Sequence, residues 1–137
     1  MPKRRRGARS AVIPPPRRHR RFEELVDAAL ARIPAPFNRA LDEVAVVIED
    51  DPDARQRHEN GLGPDDSLYG LYEGVPRTEW GADWSPVPNK ITLFRLPLEA
   101  DFPDPDDLAE EVRHTVVHEL AHHLGIDDER LDELGVV

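Results

Sequence analysis

Residues 104–128 read DPDDLAEEVRHTVVHELAHHLGIDD, and this stretch predicts the helix on which the rest of the fold is built. Asp104 is a suitable N-cap, and Pro105 is a suitable first helical residue. Gly125 can adopt the left-handed backbone conformation that ends a helix, so the helix should run to about Leu124. At 3.6 residues per turn its apolar residues form one broad face, which consists of Leu108, Val112, Val116, Val117, Leu120 and Leu124.

Two histidines, His118 and His122, stand together away from the centre of that face. Because they are four residues apart on a helix, their rings project from the same side and can bind one metal ion. Glu119 is not needed as a ligand. Its position beside the fourth coordination site lets it accept a proton from a water molecule, and this is the arrangement found in zinc hydrolases.

Length and composition restrict the classes of protein that fit the chain. A chain of 137 residues suits one domain with a modest core. The absence of cysteine excludes disulfides, thiolate zinc sites and cysteine nucleophiles. No apolar stretch approaches the roughly 20 residues needed to span a bilayer, and the N-terminus lacks the apolar segment of a secretory signal. We therefore expect a cytoplasmic protein.

The net charge of −10 conceals two parts of opposite charge. Residues 1–21 contain nine Lys or Arg and no acidic residue, so residues 22–137 hold nine basic and all 28 acidic residues, a net charge of −19. The Arg-rich and Pro-rich arm at 1–21 has too little apolar surface to offset its ordering entropy, and we expect it to be disordered. It can bind nucleic acid electrostatically, act as a solubilising tail or dock on the acidic domain at 22–137.

The remaining sequence predicts short elements of both kinds. The first predicted strand, at 44–48, is β-branched and almost continuously apolar, which indicates burial on both faces of a sheet. Pro97 is expected to close the third strand and to mark a strand end or a sheet edge. The predicted elements are helices at 22–33 and 37–43, strands at 44–48, 68–72 and 91–96, a polar loop between the first two strands, and an irregular segment at 77–89.

The pattern His118-Glu119-x-x-His122-x-x-Gly125-x-x-Asp128 resembles the extended zinc motif of the zincin metallopeptidases, in the variant where an aspartate replaces the usual third histidine. More narrowly, the chain resembles the small bacterial zincin-like metallopeptidases. The similarity covers roughly residues 22–135, and besides the motif it is carried by 71–76, 91–95 and 125–131. It implies an α+β fold, a minimal zincin-like domain in which a small mixed sheet of about three strands packs on the active-site helix with additional short helices.

The resemblance also implies a zinc metallopeptidase, with one Zn²⁺ ion bound by His118, His122 and Asp128 and with Glu119 as general base. A chain reversal at Gly125 would let a side chain three residues later return to the metal. The alternative third ligands are Asp127, which can equally cap a final helix, and less favoured Glu129, Asp132 and Glu133. Two histidines and one carboxylate can also hold iron(II). The chain has no methionine after Met1, so it departs from the metzincins and their methionine turn.

The strand at 91–96 precedes the motif helix, as the substrate-lining edge strand does in zincins, so we expect an extended peptide to add to it by backbone pairing. We expect His123 to pack in the interior or to support the ligands, and His114 to lie on the surface. The candidates for stabilising the oxyanion are Tyr69, Tyr72 and Arg113, and the sequence does not choose among them.

Two functions from other classes stay open. The spacing of His118, His122 and Asp127-Asp128 also looks like the motif of bacterial metal-dependent endoribonucleases that process ribosomal RNA, and a basic arm would suit RNA. Against this, that family has glycine where this chain has Glu119. The second alternative is a zincin-like binding module with little turnover. The leading interpretation is a metallopeptidase whose partner is a peptide or protein substrate, with no membrane partner. If nucleic acid binds at all, we expect it to do so only through the arm.

Overall fold

The computed structural model describes residues 17–74 and 89–134, without the side chains of Arg18, Asp128 and Leu134. The predicted irregular segment at 77–89 therefore lies almost entirely outside the described residues, as does the predicted arm before Arg17. The helices are α1 (Arg17–Leu30), α2 (Phe37–Ala40), α3 (Ala54–Glu59), α4 (Arg95–Asp101), α5 (Pro105–His123) and α6 (Asp128–Leu134), with a 3₁₀ turn at Leu41–Glu43. The strands are β1 (Ala45–Glu49), β2 (Gly70–Glu73) and β3 (Lys90–Phe94).

The three strands form one mixed sheet in the order β1-β3-β2. Strand β1 runs parallel to β3, with Ala45 opposite Lys90, and β2 runs antiparallel to β3, with Gly70 opposite Leu93. Helices on this small sheet confirm the predicted α+β fold. Within the part of the chain that the structure describes, no helix is long and apolar enough to cross a membrane.

The prediction that the strand at 91–96 is a sheet edge was wrong, because β3 is paired on both sides and is the central strand. The strand also ends earlier than expected, at Phe94, and Arg95 begins α4. Pro97 lies in the first turn of this helix, where the lack of a backbone N–H costs nothing because that donor has no partner within the helix. The proline therefore marks the start of a helix, and the outer strands of the sheet are β1 and β2.

Strand β1 also differs from its prediction. The apolar run at 44–48 suggested burial on both faces, but β1 is an outer strand of the sheet, and its Ala45 is exposed while the following residues are half-buried. An outer strand and a central strand can have the same apolar composition. The composition of 44–48 therefore could not show that β1 is an outer strand.

The main core lies between the sheet, α1 and α5. All the apolar residues predicted for the inner face of α5 are buried except Leu124, which is half-buried. Each fully buried valine or leucine side chain stabilises the fold by about 1.5–3 kcal/mol relative to the same side chain exposed to water. The other buried members of this core are Phe22, Val26, Ala29, Ile33, Phe37, Ala40, Ile91, Leu93, Leu98, Ala121 and Leu131.

The ends of α5 follow the sequence signals. The Asp104 side chain accepts hydrogen bonds from the backbone N–H groups of Asp106 and Asp107 at 2.9 and 3.2 Å. At the other end Gly125 has φ of 78°, and the Ile126 N–H donates to the Ala121 carbonyl at 2.8 Å. This 6→1 bond is that of a Schellman motif, so the predicted N-cap and helix-ending glycine are both confirmed.

Besides α4, two further helical segments were not expected. Helix α1 begins at Arg17, so residues 17–21, which composition assigned to a disordered arm, are helical. Helix α3 lies in the predicted polar loop and begins with a capping box, in which the Asp53 side chain accepts from the Gln56 N–H and the Gln56 side chain accepts from the Asp53 N–H. The Asp-x-x-Gln pattern was the signal for α3 in the sequence.

Candidate metal centre

Helix α5 brings His118 and His122 together as their spacing predicted. Their ring centres are 5.1 Å apart, and the rings are inclined at 69°. Zinc binds an imidazole nitrogen at about 2.0–2.1 Å, which places two tetrahedrally arranged ring centres about 5 Å apart. The observed separation therefore fits two ligands of one zinc ion. The His122 side chain is 43% exposed, so its ring is accessible from solvent.

The described side chains do not by themselves complete a metal site. Within residues 17–74 and 89–134, as far as side chains are described, no three His, Asp or Glu residues are grouped so that they could hold a metal ion. Asp128 is the first residue of α6, and its side chain is not described. Asp127 caps that helix, because its Oδ1 accepts a hydrogen bond from the Arg130 N–H at 2.8 Å. This is the capping role that the sequence offered as the alternative to metal binding.

Glu119 lies between the histidines and the sheet. Its Oε1 accepts a hydrogen bond of 2.9 Å from the backbone N–H of Tyr72, in the middle of β2, and is 3.4 Å from His122 Nδ1. The Glu119 side chain is 12% exposed. A carboxylate with a backbone donor on one oxygen and with limited solvent contact has a restricted orientation. Strand β2 therefore positions the glutamate of the motif, a contact between residues 47 apart in the chain.

A polar cluster around the buried His123, the His123 cluster, adjoins the candidate centre and consists of Glu43, Tyr72, Asn89 and His123. The His123 side chain is fully buried, its Nε2 is 2.7 Å from Glu43 Oε1, and its Nδ1 is 3.1 Å from the Tyr72 hydroxyl. The same hydroxyl donates to Asn89 Oδ1 at 2.9 Å. Because a carboxylate can only accept, the Nε2–H of His123 is the donor to Glu43.

This cluster connects the 3₁₀ turn to α5, which carries the motif, and to β2, which provides the donor to Glu119. His123 follows His122 on α5, Tyr72 belongs to β2, and Glu43 ends the 3₁₀ turn 80 residues before His123. The interior packing expected for His123 is confirmed. Sequence reasoning missed Glu43 and Asn89, because nothing local distinguishes them from other polar residues in turns.

A small pocket opens beside the motif. It has a volume of about 270 Å³, and His118 and Glu119 are among its lining residues. Its other lining residues are Tyr69, Gly70, Glu111, His114 and Thr115. We call it the Glu111 pocket. Gly70 permits a close approach between β2 and α5, since a Cβ atom at this position would come within 2.5 Å of Thr115 Cγ2.

The three oxyanion candidates all have other partners in this structure. The Tyr69 hydroxyl donates to Asp101. This hydrogen bond and, to a lesser extent, burial raise the pKa of Tyr69 to about 12. The Tyr72 hydroxyl belongs to the His123 cluster. Arg113 binds the carboxylate of Glu110, one turn earlier on α5. Tyr69 is the one candidate that also lines the Glu111 pocket.

Comparison with known proteins identifies one family. A family model described as zincin-like metallopeptidase matches residues 41–136, which include the three strands, α5 and α6. No curated protein matches the chain. The matched segment contains His118, Glu119 and His122, together with the strand residue that contacts Glu119.

Proposed function

Because the chain belongs to the zincin-like metallopeptidase family, we propose that it hydrolyses peptide bonds and that His118, His122 and Asp128 hold one zinc ion. The observation that carries this proposal is the arrangement of Glu119. Its carboxylate is oriented by the Tyr72 N–H and lies next to a histidine pair whose separation fits zinc.

We assign the third ligand to Asp128 on the basis of the chain path. Gly125 reverses the backbone after α5, and α6 starts three residues later. The Asp127 carboxylate already accepts a backbone hydrogen bond as the cap of α6, which disfavours it as a ligand. Asp128 follows the cap directly and is the remaining member of the pair that the motif indicates.

A zinc ion held by His118, His122 and Asp128 would supply Lewis-acid chemistry, which polarises a carbonyl group and makes water easier to deprotonate. Glu119 then acts as general base. Because its Oε1 is occupied by the Tyr72 N–H, we assign Oε2 as the oxygen that accepts the proton of the attacking water. The same carboxyl group returns the proton to the leaving amine, which completes hydrolysis without a further acid.

Strand β2 offers the surface for an extended substrate. Among residues 17–74 and 89–134, β2 pairs with β3 alone, and on its other side the Tyr72 N–H is already bonded to Glu119. A peptide added at this edge by backbone hydrogen bonds would pass directly beside Glu119, since Tyr72 contacts it. This role, which sequence reasoning assigned to 91–96, is therefore proposed for 70–73.

The test is to measure zinc content and peptide cleavage on the same preparations of wild type and variants. We expect His118→Ala and His122→Ala to lose both zinc and activity. Glu119→Gln should retain zinc and lose activity by about 10²–10⁴-fold, the usual contribution of a general base. Glu110→Gln, an exposed substitution on the same helix, is the matched control and should behave as wild type. A wild type without zinc, or a fully active Glu119→Gln, would overturn the proposal.

A second pair of variants examines the third ligand. Asp128→Asn should weaken zinc binding strongly, because it removes a charged ligand. Asp127→Asn should retain zinc, since an asparagine oxygen can also cap a helix. The reverse result would assign the ligand to Asp127.

A further inference from the structure

The Glu111 pocket shares two of its lining residues with the proposed reaction centre. His118 and Glu119 line it, so a group that enters it lies next to a proposed zinc ligand and the proposed general base. Its volume of about 270 Å³ is below the range of about 300–1,000 Å³ typical of sites for whole small ligands. The pocket therefore suits one side chain of a longer substrate.

Among the described residues, two carboxylates line the pocket. Glu119 belongs to the family motif, and Glu111 does not. The Glu111 side chain is 20% exposed, and the Thr115 hydroxyl donates to Oε2 at 3.1 Å. The His114 Nδ1 lies 3.7 Å from the same oxygen. Both described contacts involve Oε2, and Thr115 is itself buried, so the carboxylate is oriented at the pocket wall by a fixed neighbour.

The electrostatic character of the pocket is acidic. Glu111 and Glu119 both line it, and no Lys or Arg does so among the described residues of 17–74 and 89–134. The pKa of Tyr69, which also lines the pocket, is raised mainly by its hydrogen bond to Asp101, and the negative charge of Glu111 adds to this increase. Beyond the basic arm, the chain has a net charge of −19, which further attracts cationic substrates.

We propose that the Glu111 pocket binds a lysine or arginine side chain of the substrate next to the cleaved bond, and that Glu111 determines this preference. This inference rests on the proposed peptidase function. A long basic side chain places its alkyl part along Tyr69 and Gly70 and its cationic end at Glu111. The cation replaces the contact between Glu111 and His114, and Thr115 keeps the carboxylate in place.

The experiment uses a set of peptides that differ at one position flanking the cleaved bond, where they carry lysine, its uncharged analogue norleucine, or glutamate. We measure kcat/KM with zinc-loaded wild type, Glu111→Gln, Glu111→Lys and the control Glu110→Gln. Wild type and the control should cleave the lysine peptide at least tenfold better than the norleucine peptide. Glu111→Gln should abolish this ratio while it retains the rate on norleucine, and Glu111→Lys should favour glutamate.

A binding measurement separates recognition from catalysis. The lysine peptide should bind the zinc-loaded Glu119→Gln protein at least tenfold more tightly than the norleucine peptide does, and the additional Glu111→Gln substitution should remove the difference. Cleavage without preference for lysine or arginine would overturn the inference and leave the peptidase function intact. Equal losses on all peptides in Glu111→Gln would also overturn it, because they would indicate a structural role. A wild type that cleaves no peptide would reject the peptidase function and this inference with it.

Discussion

Removal of the Glu43 carboxylate should destabilise the protein through a histidine 80 residues away. His123 is fully buried, and its Nε2–H donates to Glu43 at a distance of 2.7 Å. In Glu43→Ala this donor loses that acceptor inside the protein, and a buried donor left unsatisfied costs about 1–3 kcal/mol. Glu43 is 31% exposed, so water can partly replace its carboxylate. We therefore expect the lower part of that range, about 1–2 kcal/mol.

The assay is urea denaturation of the metal-free protein followed by circular dichroism, because bound metal would add its own contribution to the free energy of unfolding. In a thermal melt the same loss corresponds to a decrease in Tm of about 4–8 °C for a chain of this size. Glu43→Gln keeps an acceptor oxygen for His123 and should lose less stability than Glu43→Ala. Asp42→Ala, an exposed substitution in the same turn, should change the free energy by less than about 0.5 kcal/mol.

The comparison between Glu43→Ala and Asp42→Ala decides the question. Equal unfolding free energies for these two variants would refute the reasoning, since they would show that the Glu43 to His123 contact does not contribute to stability. A Glu43→Gln variant as unstable as Glu43→Ala would show instead that the charge of Glu43, rather than its acceptor oxygen, is what His123 requires.

Three further results are expected. The hydrogen bond to Asp101 raises the pKa of Tyr69 from 10.0 to about 12 and so stabilises the protonated phenol, so this contribution to stability is complete below pH 10 and is lost as pH rises through 12. Tyr69→Phe should lack that loss in urea denaturation between pH 10 and 12, and an identical pH profile would contradict the assignment. Gly125→Ala should destabilise the protein by about 1–2 kcal/mol, because a Cβ atom is unfavourable at the φ of 78°, and an unchanged urea midpoint would argue against this account of the helix end. Zinc at 100 times its Kd should raise the free energy of unfolding of wild type by about 2.7 kcal/mol and leave His122→Ala unaffected, whereas a wild-type melt insensitive to zinc would contradict the metal centre.

Sequence reasoning predicted the part of the site that lies on one helix. His118, Glu119 and His122 are within five residues of one another, and helical periodicity alone places the two histidines on one face. The ends of α5 were equally predictable, because Asp104 and Gly125 act on backbone groups within one turn of their own positions. The family resemblance was confirmed by the match over residues 41–136.

Contacts across the sheet could not be predicted in the same way. The apolar runs at 44–48 and 91–96 look alike in composition, yet one became an outer strand and the other the central strand. The pattern of apolar residues indicates where strands form. The order of those strands in the sheet depends on how all the elements pack together around one core. The donor to Glu119 is a backbone N–H on β2, and no side-chain pattern encodes such a group.

The sequence by itself determined the helix, its caps, the histidine pair and the glutamate between them, because these depend on interactions among neighbours along the chain. Tertiary structure decided which strand is exposed beside Glu119, which residues support His123, and that Glu111 faces a pocket next to the motif. The physical reason is distance along the chain. Contacts such as that between Glu43 and His123 form only when the whole core has assembled, and each depends on the packing of all the others.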